Sequence, residues 1–196
     1  LSTLSEARSP RRVLDSIWDA GAMDYCLEKA NWNFAMRSVR ADYSPSVEPL
    51  FGFTYAFDKP TDWLRTSAIC TDEYFNNTLM RYTDEAGFWF CDQQLIYVKY
   101  VSKGDDYGYN LSLWTQAFRK YVASYLAFKS AKRITGDRVD KDDAERDMKK
   151  AFYAAKSLDA LGEAAVFPQT GSWVNSRLRG GSGQSVQRIS GGWTGS

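Results

Sequence analysis

Histidine is absent from this 196-residue chain. Without an imidazole, Ser-His-Asp and Cys-His catalysis, histidine-ligated metals and imidazole proton shuttles are excluded. Carboxylate, lysine and tyrosine chemistry stay open. Cysteine is scarce, with only Cys26, Cys70 and Cys91. No two of them form a CxxC pair, and three thiolates are one short of an all-cysteine zinc site. They are expected as buried free thiols of a chain folded in a reducing compartment. No apolar run approaches the ~20 residues of a membrane helix. An excess of either charge is lacking too: 25 Lys and Arg face 24 Asp and Glu, a net charge of +1. Such a balance exerts no global pull on nucleic acid or anionic membrane. No signal peptide is visible, and the chain opens on Leu1 rather than Met, so leading residues are either missing from this numbering or removed by processing. No internal repeat is evident.

What is present reads as a folded protein. Hydrophobic residues make up 44% and charged residues 25%, ordinary globular usage that argues against a wholly disordered chain. A chain of this size buries roughly 70% of the surface its unfolded form exposes. Aromatics reach 15%, with seven Trp and twelve Tyr.

Helical periodicity comes first. Ser9 is placed to cap and Pro10 sits at the first helical position, where its missing N–H costs nothing. Val13, Ile17 and Ala20, and then Leu14, Trp18, Gly21 and Tyr25, recur at helical spacing. The helix runs into Asn31-Trp32-Asn33-Phe34-Ala35. A turn-rich stretch with Ser44-Pro45 and Glu48-Pro49 follows. The period then drops to two: Phe51, Phe53, Tyr55 and Phe57 alternate with small or polar residues and predict a strand, ended by Lys59-Pro60-Thr61-Asp62. Ile69 and Cys70 predict a short strand. Residues 79–101 predict a β-meander of Leu79 to Thr83, Phe88 to Cys91 and Gln94 to Val101. A helix from Leu113 to Lys132, capped by Ser112 and stopped by Gly136, is expected to pair antiparallel with a second one starting near Asp140. The buried stripe of that second helix is read as Ala144, Met148, Ala151, Ala155 and Leu158, with Glu145 and Lys149 on the outer face. Ten of the last nineteen residues are Gly or Ser, yet Val186, Ile189 and Trp193 recur among them. That pattern reads either as an arm that orders on a partner or as a plain floppy terminus.

The fold class expected is α+β: mainly a helical bundle with an inserted antiparallel β-rich subdomain and an extended C-terminal arm. The expected boundaries are 1–50 and 110–177 for the helical part, 51–109 for the insertion and 178–196 for the arm.

Residues in a pattern suited to catalysis or ligand binding are few. Gly180-Gly181-Ser182-Gly183 has glycines but neither the Lys nor the flanking strand and helix of a phosphate loop. The single Arg179-Gly180-Gly181 triplet is weak as an RNA-binding signal. Asp84-Glu85 and Asp105-Asp106 sit in predicted turns, without the burial that splits two carboxylate pKa values. Asp137, Asp140, Asp142 and Asp143 lack the glycine and distal Glu of a calcium loop. The aromatics fall at helix and strand periods, which core packing explains. No catalytic, cofactor or metal residue is assigned.

Four segments in order carry a resemblance. They are Trp32-Asn33-Phe34-Ala35; Phe53-Thr54-Tyr55-Ala56-Phe57 leading to Lys59-Pro60-Thr61-Asp62-Trp63-Leu64-Arg65; the helix from Trp114 through Leu126-Ala127; and Ser172-Trp173-Val174-Asn175-Ser176-Arg177. The sequence resembles the tail tubular protein A family, the head-to-tail adaptors of short-tailed bacteriophages. Family members usually begin with another helix and a start Met, and have Leu where Lys59 stands. The resemblance implies a structural virion protein without cofactor or catalysis, assembled in the host cytoplasm and placed at the head–tail interface. It further implies a ring, usually of twelve subunits, that docks on the portal, extends the DNA ejection channel and offers a platform to the tail nozzle. Genomic DNA passes through it without specific binding, and no membrane is involved. Trp32, Phe34, Pro60, Asp62, Arg65 and Trp173 match its structural motif. Arg177, Arg179, Val186, Arg188, Ile189 and Trp193 are the residues expected to grip the portal. The alternatives are a tail-associated muramidase using two carboxylates, and an aromatic-rich module binding carbohydrate or single strands.

Overall fold

The computed structural model describes residues 9–49, 52–134 and 138–162. The chain starts with α1 (Ser9–Ile17), a π-helical turn at Trp18–Ala22 and α2 (Met23–Glu28). These form one helix broken at Gly21, whose φ of 88° lies in the left-handed region that glycine enters without a Cβ clash. A 3-10 turn (Asn33–Ala35) leads into β1 (Met36–Asp42). Then come β2 (Tyr55–Asp58), β3 (Trp63–Cys70), β4 (Thr83–Glu85), β5 (Phe88–Cys91) and β6 (Leu95–Ser102). Two long helices close the described part, α3 (Gln116–Ile134) and α4 (Arg138–Ala160). No helix among the described residues is long and apolar enough to cross a membrane.

The strands form two three-stranded antiparallel sheets, ordered β1-β6-β3 and β2-β5-β4. This corrects the expected fold class. The protein is α+β, but with two sheets against three helices it is more sheet-rich than a mainly helical bundle carrying an insertion. Two unread strands account for the difference. β1 hides in Met36-Arg-Ser-Val-Arg-Ala-Asp42, where only the exposure of Ser38, Arg40 and Asp42 betrays the alternation. β3 spans eight residues where only Ile69-Cys70 looked strand-like, and its register is broken twice by bulges.

The meander also needs correcting. The strand expected at Leu79 to Thr83 is instead β4 at Thr83–Glu85, so Asp84 and Glu85 belong to a strand and not to the turn; β4 pairs with β5, while β6 leaves β5 and becomes the central strand of the other sheet. Ile96, Val98, Tyr100, Val101 and Ser102 of β6 are all buried, so the strand needs cover on both faces and a partner on both edges. The aromatic strand is shorter than its period-two run. Arg81 stacks on the Phe53 ring at 5.4 Å, and the Thr54 N–H donates to the Asp92 carboxylate at 3.1 Å instead of a ladder carbonyl.

Two cores result. On the helix side, Leu27, Trp32, Val101, Phe118 and Tyr121 are buried together, with Met36, Leu64 and Phe152 packed around them. Between the sheets, Phe57, Trp89 and Cys91 of one meet Ile69, Ile96, Val98 and Tyr100 of the other. α3 and α4 are antiparallel as expected: Tyr121 meets Phe152 at 5.2 Å, while Lys141 of the first turns of α4 reaches Phe128 near the far end of α3. The cap of α3 is Thr115, whose hydroxyl accepts the Phe118 N–H at 3.2 Å; Ser112 instead donates to Asn110. Of the stripe read on α4, Ala155 is buried, but Leu158 is 58% exposed.

Candidate functional site

The matched motif residues that lie within the described part gather where the helices meet the first sheet. Trp32 is fully buried and donates its indole N–H to the Cys26 carbonyl at 3.0 Å. Its ring lies 4.8 Å from Phe118 and 6.3 Å from Phe152, and Phe34 closes the cluster at 4.9 Å from Phe118. One residue before Trp32, Asn31 accepts a hydrogen bond from the Arg65 guanidinium. One residue after it, the Asn33 N–H donates to the Asp159 carboxylate at 3.1 Å, and the Asn33 side chain donates to the Asp159 carbonyl at 2.8 Å. The short segment 31–33 thus pins α2, β3 and the end of α4 together. A polar cavity of about 280 Å3 opens there, lined by Lys29, Asn31, Arg65, Lys156 and Asp159. Such a set can hold an acidic group.

Asp62 ties the strands at the same junction. Pro60 begins a turn closed by the Trp63 N–H on the Pro60 carbonyl at 3.0 Å, which turns the Asp62 side chain toward β6. One carboxylate oxygen accepts the Tyr100 hydroxyl at 3.0 Å. The other accepts the Ser102 hydroxyl at 2.5 Å and the Arg37 guanidinium at 2.9 Å. Burial alone would raise the carboxyl, but these bonds outweigh it and hold Asp62 below the usual carboxylate range. Tyr100 is pushed the other way, by burial first and then by donating to a carboxylate it would repel once ionised. Arg37, Tyr100 and Ser102 were missed in the sequence. Arg37 lies on the unread β1, and Tyr100 and Ser102 carry no signal beyond their strand.

Lys59 nucleates a second polar cluster. Its ammonium pairs with Asp84 and lies 3.8 Å from the centre of the Trp63 ring, with the lysine side chain only 6% exposed. The Thr66 hydroxyl donates to Asp84 at 2.8 Å and accepts indole N–H groups from Trp63 at 3.1 Å and Trp89 at 2.8 Å. One donor and two lone pairs are all used. A Leu here, as in the resembled family, would leave Asp84 without its cation.

The remaining candidates divide plainly. Trp173, Arg177, Arg179, Val186, Arg188, Ile189 and Trp193 lie outside the described residues, as do Phe51 and Gly136. Asp84 and Glu85 are consecutive residues of β4, so they point to opposite faces, and Asp84 is committed to Lys59. Asp105 and Asp106 are exposed, and Asp143 pairs with Arg146. Among the described residues no three His, Cys, Asp or Glu side chains are grouped to hold a metal. All three cysteines are buried and free, and burial pushes the Cys26 thiol up to about 12, so it is no nucleophile at neutral pH. Gly108 is a residue the sequence did not single out. A Cβ there would come within 2.4 Å of the Ser102 carbonyl and 2.8 Å of Leu27, while its own carbonyl accepts the Trp114 indole at 2.8 Å.

No family model matches this chain, and no curated protein matches it.

Proposed function

We propose that the chain is a structural adaptor of a short-tailed phage, a ring-forming protein that docks on the portal, continues the DNA channel and carries the tail nozzle. The observation that carries this reading is the spatial convergence of segments that resemble the tail tubular protein A family but are far apart in sequence. Trp32 meets Phe118 of α3 edge to face, and Arg65 reaches Asn31 beside it. Asp62 meanwhile holds β6 and β1 through Tyr100, Ser102 and Arg37. Trp32, Asp62 and Arg65, the landmarks within the described residues, each have a structural task. A scaffold of this kind acts by presenting surfaces, not by turning over a substrate.

In this reading the portal grip belongs to Arg177, Arg179, Val186, Arg188, Ile189 and Trp193. Guanidinium groups meet portal carboxylates and the apolar residues fill portal grooves. Many identical weak grips around a ring add to tight docking. The site is the head–tail interface of the virion, the ring is of twelve subunits, and DNA passes without specific contact. Negative-stain electron microscopy of the protein mixed with its phage's portal tests this. The expected result is a ring stacked on the portal, lost on deleting residues 178–196 while the circular dichroism of the remainder is kept. Bare portals in the presence of the intact protein, together with clearing of peptidoglycan by the protein alone, overturn it in favour of a muramidase.

A further inference from the structure

The loop between β3 and β4 is a rigid, acidic, apolar-tipped knob. The Asp72 carboxylate accepts the N–H groups of Asn76 at 3.0 Å and Asn77 at 2.7 Å. The Thr71 N–H donates to the Asn77 carbonyl at 3.1 Å, and Phe75 sits at a φ of 57° that a side chain rarely adopts. The knob holds outward Tyr74, 75% exposed, and Met80, 91% exposed. Surfaces already ordered lose little conformational freedom on docking.

A complementary groove lies in the helical layer. It holds about 250 Å3 between the start of α3 and the end of α4, floored by Ala117, Ala151 and Ala154 and walled by the exposed Leu158. Lys120 stands at its rim. Lys120 is the one charged residue among the described residues of the groove lining, so the groove offers a cation where the knob offers Glu73. Among the described residues, neither Lys120 nor Glu73 of the knob has an ion-pair partner.

Within one chain, β3 carries the knob away from the helical layer. β3 starts against the helices, through Leu64 in the helical core and Arg65 on Asn31, and ends at Cys70 where the knob begins. Cys70 is six residues beyond Leu64, about 20 Å of extended chain at roughly 3.3 Å per residue. We infer that the occupant of the α3–α4 groove is the 72–80 knob of a second copy of this chain, with Tyr74 seated over the alanines and Glu73 facing Lys120. A contact joining two different surfaces repeats head to tail and closes into a ring when the rotation permits. The inference rests on the adaptor reading for the ring, but the contact itself stands on the two surfaces.

Sedimentation velocity of the full chain, alone and with the portal, is the test. Tyr74→Asp and Ala154→Asp change exposed side chains and should leave the circular dichroism melt unchanged. Each is expected to raise the concentration needed for self-association at least tenfold. Glu73→Lys should do the same, and adding Lys120→Glu should restore association. A bismaleimide should link Tyr74→Cys to Ala154→Cys between chains, since the native thiols are buried. Assemblies indifferent to these substitutions, or a chain monomeric under every condition, overturn the inference. Portal-bound rings that survive all the substitutions remove this interface and leave the adaptor reading intact. Association through the knob with no portal docking removes the adaptor reading and leaves the interface.

Discussion

Around Trp32 and Trp114, on the helix side, the indole N–H groups end on backbone carbonyls of Cys26 and Gly108. Around Trp63 and Trp89, between the sheets, both indoles end on one side chain, Thr66, which itself leans on Asp84 and through it on Lys59. The two regions bury the same aromatic residues and satisfy them differently. A backbone carbonyl is present whatever the neighbouring side chains are. A side-chain acceptor must be the right residue, in the right rotamer, with its own partners in place. The helix-side core should therefore fail through loss of packing, and the sheet side through loss of charge or hydrogen bonding.

The largest effect expected from this contrast is on the helix side. Trp32→Ala removes a fully buried ring touching four other aromatics and should cost about 3–5 kcal/mol in denaturant unfolding, with no dependence on pH. A loss below about 1 kcal/mol would mean that packing does not dominate there.

Next comes Asp62. Asp62→Ala strands the Tyr100 and Ser102 hydroxyls and should cost about 2–3 kcal/mol. Because the folded carboxyl is held below its usual range, its stabilisation is complete above the unfolded pKa of about 3.9 and is lost as pH falls through the lower folded value. Wild type should thus lose more stability than Asp62→Asn between about pH 4 and 2. Parallel acid-unfolding curves for the two would sink this assignment.

The smallest effect is expected at Lys59. Lys59→Met leaves Asp84 without its cation and should cost about 1–3 kcal/mol. Adding Asp84→Leu should recover only part of that loss, because it removes the uncompensated carboxylate but leaves the Thr66 hydroxyl without its acceptor. A double variant worse than the single one would show that the sheet side depends on this pair more than on burial, sharpening the contrast with Trp32.

Local signals were legible where one period or one turn decides the outcome. The first helix, the strand Phe88–Cys91, the aromatic strand in part, the antiparallel α3–α4 pair and the three buried thiols were all read from the chain. β1 was not, because its inward residues Val39 and Ala41 are only partly buried and are separated by Arg40. The candidate site was half legible. Trp32, Asp62 and Arg65 stood out through the resemblance, while Arg37, Tyr100, Ser102 and Thr66 did not, since nothing local marks a strand residue as the partner of a distant turn.

Residue types and their local spacing by themselves determined the helices, some of the turns and the absence of imidazole chemistry, because these depend on composition and on neighbours within a few positions. Only the tertiary structure decided that β6 abandons β5 to become the centre of the other sheet, and so which side chains Asp62 collects. That choice rests on burying both faces of β6 at once, and burial of a face is settled by everything that packs against it.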